Sequence, residues 1–241
     1  MKQILIITKR ELRSFFDSLM AYVLIVLFLG FSGFFTWLFG GDVFLVNQAS
    51  LQSFFGIAFW SLFFFIPAVT MGMIADERKS GTIELLVTKP VTDRQIIAGK
   101  FLAAFLLICI ALALTIPYYI TVANIGKIDH GAVLMGYLGL LFMSAAYISI
   151  GLFASSITQN QIVAFLIALF IGIFFQLIFS LLASGTTGWL SLILSYLSIS
   201  THYESMARGV IDTKDLVYFC SIIFFSVICT ELALSKRNLT N

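Results

Sequence analysis

The stretch FLAAFLLICIALALTIPYYITVA, residues 101–123, decides the fold. It carries no charge, and a helix of this length, rising 1.5 Å per residue, crosses the roughly 30 Å of bilayer hydrocarbon. Working outward, uncharged apolar stretches of comparable kind occupy residues 19–39, 53–75, 132–154, 162–183 and 216–230. The last reaches full length with residues 231–234. The composition of the 241 residues agrees: 60% are hydrophobic, 26 are Phe, and mean hydropathy is +1.04. Only 11% are charged, against roughly 25% in a soluble domain. So few charges cannot build a water-facing surface, which excludes cytosolic enzymes and disordered chains. A net charge of +2 is too small to imply a nucleic-acid partner. The expected class is an all-α integral membrane protein with six transmembrane helices.

The charges fall between these stretches and predict an orientation. With the N-terminus inside, the cytoplasmic side holds Lys2, Lys9, Arg10, Arg13, Arg78, Lys79, Lys89, Arg94, Lys100, Lys236 and Arg237. Lys127, Arg208 and Lys214 are then the only external cations of the 14 in the chain. The positive-inside rule therefore places both termini in the cytoplasm. The charged start is followed by an apolar stretch too long for a signal peptide's core, so the first span is expected to remain. Cys109, Cys220 and Cys229 all lie in spans, where they read as small apolar filler and not as a disulfide or metal set.

Residues 1–17 form an amphipathic segment. At 100° per residue Ile4, Leu5, Ile7, Leu12, Phe15 and Phe16 share one half of the wheel, and Lys2, Lys9, Arg10, Arg13 and Asp17 the other. Ile6 and Glu11 break the pattern. Such a helix is expected to bury its apolar face at the inner headgroup boundary. The six-span domain follows over residues 18–235, with a tail at 236–241.

The loop ADERKSGTIELLVTKPVTDRQIIAGK, residues 75–100, concentrates charge between the second and third spans. Gly81 and Pro90 bracket a short segment whose Ile83, Leu85, Leu86 and Val87 are apolar in a wet loop, which predicts that something covers them. After Pro90, Thr92 and Gln95 make a capping box that restarts the helix. The loop thus reads as a short helix along the membrane with a fixed hinge into the next span, a lever for a soluble partner.

Other features are less specific. Thr158 with Gln161, and Thr201 with Glu204, read as further capping boxes, the latter opening a short helix that Gly209 stops. Pro67 and Pro117 each remove a backbone bond and predict kinks in spans two and three. Gln176 is a strong polar group deep in span five; it either lines a pathway or bonds across a helix interface. Span four carries Gly136, Gly139, Ser144, Ala145, Ala146, Ser149 and Gly151, which permit close helix approach. Residues 189–199 are apolar but too short to cross, so the outer segment 184–215 is expected to hold re-entrant or interfacial helices. His202 beside Tyr203 reads as an interfacial anchor.

No site for chemistry is apparent. There is no GxxxxGK[ST], so nucleotide hydrolysis would have to come from another chain. With only His130 and His202 there is no metal-spaced histidine pair. The spans lack the charged residue that ion-coupled carriers usually keep, since Glu231 lies close to the cytoplasmic end. Catalytic, cofactor-binding and metal-ligating residues are therefore all expected to be absent.

The string from Asp76 to Leu86, with Glu77, Gly81, Thr82, Glu84 and Leu85, resembles the cytoplasmic loop of ABC-2 type permeases, the membrane subunits of one class of ATP-binding-cassette exporters. GLFASSITQNQIVAF (151–165) and HYESMARGVIDTKDLVYF (202–219) resemble the same family's passage from the fourth to the fifth span and its approach to the sixth. Within it the chain is most similar to the gliding-motility-associated permease subunit, and is similar also to the permease serving nitrous oxide reductase maturation. The resemblance implies a coupling loop at residues 76–94 that seats in a groove of an ATPase subunit, with Glu77, Gly81, Thr82, Glu84 and Leu85 at the coupling positions. Arg78 and Lys79 serve there either as partners for acidic groups of the ATPase or as topology anchors. It further implies two ATPase subunits that bind the ATP and Mg, a second permease copy or related subunit, an auxiliary membrane protein, and residence in the bacterial inner membrane. The alternative from a different class is an ATP-independent secondary carrier or membrane scaffold.

Overall fold

The computed structural model describes residues 2–38, 50–81, 91–210 and 212–235, and among them every regular element is helical. Six helices are long and apolar enough to cross a membrane: Met20–Trp37, Gln52–Lys79, Asp93–Ile125, His130–Ser156, Gln161–Gly185 and Thr213–Ser235. The expected six spans are therefore present, each covering its apolar stretch to within a few residues except the third, whose helix starts at Asp93, well before residue 101. An N-terminal helix, Lys2–Asp17, precedes them, and Leu19, in a left-handed conformation at φ 60°, turns the chain sharply into span one.

Span four is the hub. Most of it is buried, whereas spans one, five and six expose most of their apolar surface. Its small residues are the reason. A Cβ added at Gly151 would lie 2.0 Å from Thr70 Oγ1 of span two, and one at Gly136 would lie 2.6 Å from the Phe55 ring. At Gly139 the neighbours are Tyr203 and Met206, from the segment between spans five and six. The close approaches that the sequence predicted are thus made within one chain.

Both prolines lie beside a break. Span two divides into Gln52–Thr70 and Gly72–Lys79, just after Pro67. Ser155 of span four repairs the ladder there: its hydroxyl accepts from the Ile74 and Ala75 amides, each at 3.0 Å, and donates to the Met71 carbonyl at 2.8 Å. A neighbouring hydroxyl re-satisfies freed backbone groups where no water reaches. Span three divides into Asp93–Ala113 and Ile116–Ile125, with Pro117 in the first turn of the second piece, where its missing amide costs nothing.

Span five holds a feature that its apolar run gave no sign of. Gln161–Ile173 passes into a π-helical turn, Phe174–Ile178, before Phe179–Gly185 completes the span. Gln176 lies in that turn, fully buried; Tyr147 Oη of span four donates to its Oε1 at 2.5 Å, and Ser200 Oγ donates to its carbonyl at 2.7 Å. Gln176 thus makes a bond across the interface between spans four and five.

Between spans five and six lie two short helices, Trp189–Leu197 and Ile199–Ala207. The capping box at Thr201 and Glu204 does not form, because the second helix begins earlier, after Ser198. The stop at Gly209 does, with φ 86° and its amide on the Met206 carbonyl at 2.9 Å. His202, expected as an interfacial anchor, is buried among protein groups. Its Nδ1 lies 2.6 Å from Asp215 Oδ1 at the start of span six, its Nε2 lies 3.0 Å from the Tyr196 carbonyl, and its ring stacks on Tyr218.

The N-terminal helix departs from its expected setting in part. Ile7, Thr8 and Phe15 are buried against protein. Ile7 occupies the space that a side chain at Gly99 would need, 2.6 Å from the added Cβ, and Thr8 Oγ1 donates to the Gly99 carbonyl at 3.2 Å. Part of the apolar face is thus covered by span three and not by lipid, while Leu5 and Ile6 are exposed.

Candidate functional site

The loop between spans two and three stands on two feet, Asp76–Gly81 and Thr92–Lys100, and the structure ties them together. Local sequence builds each foot. The first is the last turn of span two, ended by Gly81 in the left-handed region at φ 68°. The second opens with the predicted capping box, in which Thr92 Oγ1 accepts from the Gln95 amide and Gln95 Oε1 accepts from the Thr92 amide.

Lys100 joins the feet. Its side chain is 1% exposed, and its ammonium donates to the Met73 carbonyl at 2.6 Å and pairs with Glu77 at 2.9 Å and Glu11 at 3.3 Å. Three oxygens thus meet the three donors of the ammonium. Arg10 closes the ring, paired closely with Glu11 and at 3.1 Å with Glu77. Burial works against the Arg10 charge, but the hydrogen bonds and charges of Glu11 and Glu77 outweigh it and hold the guanidinium above its ordinary pKa. Among the described residues, two cations and two anions from three segments therefore form one network. A cavity of about 540 Å³ lies beside it, bordered by Ser14, Phe15, Met71, Asp76 and Gln161.

Two more contacts fix the first foot to the turn between spans four and five. Gln161 Nε2 donates to both Asp76 carboxylate oxygens, at 2.5 and 2.6 Å, and the Arg78 guanidinium donates closely to the Ser156 carbonyl. Gln161 is therefore not half of a capping box with Thr158; Asn160 caps span five, its Oδ1 accepting from the Ile162 amide at 2.9 Å. At the second foot Arg94 Nε pairs with Glu231 Oε1 at 2.7 Å, linking the loop to span six. The Arg94 side chain is 80% exposed, so Arg94→Ala should lower stability by no more than about 1 kcal/mol and lose even that in high salt, as read by melting in detergent.

Of the residues read from sequence as coupling positions, Glu77 points into the network and Arg78 into its own chain, while Lys79 and Gly81 are exposed. Thr82, Glu84 and Leu85 lie outside the described residues. Gln176 sits apart, in span five. The residues that the sequence reading missed are Arg10, Glu11, Asp76, Lys100 and Gln161. One signal was available: Glu11, which spoiled the apolar face of the N-terminal helix, is the group that meets buried Lys100.

What this arrangement provides is connection: each of its ionised groups is engaged with another segment of the chain. Short polar contacts tie the two feet of the loop to each other, to the N-terminal helix and to spans four, five and six. No curated protein matches the chain. Residues 5–235 match the family described as ABC-2 family transporter protein, and the chain therefore belongs to the ABC-2 transporter family, whose members form the membrane component that typically works with an ABC ATPase.

Proposed function

We propose that this chain is the permease subunit of an ATP-binding-cassette transporter, and that its loop at residues 76–94 receives the motion of a separate ATPase. The observation that carries the reading is the Lys100 network: both feet of the loop share one ion cluster, centred on buried Lys100, with the N-terminal helix, so a displacement of the loop is transmitted and not absorbed. Eleven of the 14 cations fall on the side that carries this loop, which supports cytoplasmic termini, and the family resemblance favours residence in the bacterial inner membrane. ATP and Mg are bound by the partner. Six spans make half of a usual membrane part, so two ATPase subunits and a second permease copy or related subunit complete the assembly. The bare spans fit export of an apolar substrate or transmission of force, and the resemblance to the gliding-motility subfamily favours a link to motility with an auxiliary membrane protein.

Co-purification with the cognate ATPase tests this. Deleting residues 82–86, or Glu84→Arg, should abolish the association, or keep it and uncouple ATP hydrolysis from the permease. Unchanged association and coupled activity in both variants would sink the coupling assignment.

A further inference from the structure

Three cations of the N-terminal helix are left over from the network. Lys2, Lys9 and Arg13 are exposed, and none makes an ion pair with the described residues. At 100° per residue they lie within about 40° of one another, so they form a single row along the helix, with Lys9 and Arg13 about 6 Å apart in rise. Leu5 and Ile6, 64% and 67% exposed, flank this row. Lys9 and Arg13 also border an open groove of about 550 Å³, shared with Ser14 and Asp17. Asp17 is its single acid, and Arg10, also at the groove, is already engaged by Glu11 and Glu77.

The depth of this row is set by packing. Thr8 and Ile7 dock on Gly99 and Glu11 on Lys100, just where the uncharged apolar stretch of span three begins, so the helix lies level with the end of the apolar spans. A row of unneutralised cations at that level, with exposed apolar side chains on both flanks, matches the phosphate and upper acyl chain of a lipid. It matches an aqueous surface poorly, since Leu5 and Ile6 would face water.

We propose that Lys9 and Arg13, with Lys2 beyond them, bind the headgroup phosphate of an anionic phospholipid. The assignment to the inner leaflet rests on the orientation proposed above; the site itself does not. Glu11 and Arg10 lie on the same two turns and reach Glu77 and Lys100, so bound lipid braces the helix that holds the loop's feet.

Native mass spectrometry of the full chain in detergent, titrated with phosphatidylglycerol or phosphatidylcholine, tests the site. Preferential retention of phosphatidylglycerol is expected, weakened about fivefold for each of Lys9→Gln and Arg13→Gln and roughly 25-fold for the pair. Lys9→Arg with Arg13→Lys should restore it, and millimolar inorganic phosphate should not displace the lipid. These residues are exposed, so the variants should melt as the parent does. Equal phosphatidylglycerol binding by the double variant would overturn the proposal, as would displacement by inorganic phosphate. So would loss of ATPase co-purification in lipid-free detergent with lipid binding intact, which would make the row a protein-docking surface. Labelling of Lys2→Cys from outside intact cells would refute the orientation while leaving the lipid measurement standing.

Discussion

Lys100→Met is expected to be the most damaging single substitution in the chain, lowering stability by about 3 kcal/mol in detergent melts and disconnecting the loop from the N-terminal helix. Methionine is close in volume and suits an apolar site, so packing alone gives no reason for loss. The damage comes from what stays behind. Glu77 and Glu11 are 17% and 13% exposed and would lose the ammonium that now lies 2.9 and 3.3 Å from them. Removing one partner of a buried pair leaves an uncompensated charge, at roughly 3–5 kcal/mol; the residual exposure of the two carboxylates and the presence of Arg10 argue for the lower end. Neutralising the stranded groups as well, in Glu11→Gln with Glu77→Gln and Lys100→Met, should recover most of the loss, because apolar or neutral replacements of a whole buried cluster are often tolerated. A Lys100→Met protein that melted like the parent would show that the cluster holds nothing together.

Gly151→Val should be nearly as severe for a steric reason. The added Cβ would stand 2.0 Å from Thr70 Oγ1 and 2.8 Å from Thr70 Cβ. Thr70 cannot swing aside cheaply, since it is fully buried and its hydroxyl donates to the Ile66 carbonyl at 3.0 Å. Spans two and four would have to part where Ser155 repairs the break after Pro67. Overpacking of this kind costs about 1–3 kcal/mol for a small side chain and more for a branched one against backbone-anchored neighbours. Gly30→Ala is the control: nothing lies within 4 Å of its added Cβ, so it should be neutral or slightly stabilising. If both variants expressed and melted alike, span four would not be the hub that its burial makes it.

What the sequence made legible was whatever depends on local pattern. Each apolar run became a span because its length and lack of charge leave no other way to satisfy the backbone in lipid. The capping box at Thr92 and the stop at Gly209 formed because both are settled within four residues. Capping boxes failed where a stronger local acceptor or an earlier start competed: Asn160 took the cap that Thr158 was expected to make, and the helix expected after Thr201 already starts at Ile199. The π turn at Gln176 was illegible, since it is held by Tyr147 and Ser200, whose proximity only the fold creates. The Lys100 network was half legible. Glu11 stood out on an apolar face, but its partner lies 89 residues away, and no spacing rule connects the two.

Residues 76–94 are proposed to transmit the motion of an ATPase. The most direct test is cross-linking at Glu84→Cys in a background with Cys109, Cys220 and Cys229 replaced, in membranes holding the cognate ATPase. The expected result is a cross-link to the ATPase whose yield changes between nucleotide-free and ATP-trapped states, and no labelling of that cysteine by an impermeant reagent added outside intact cells. External labelling, or absence of any cross-link to the ATPase in both states, would contradict it.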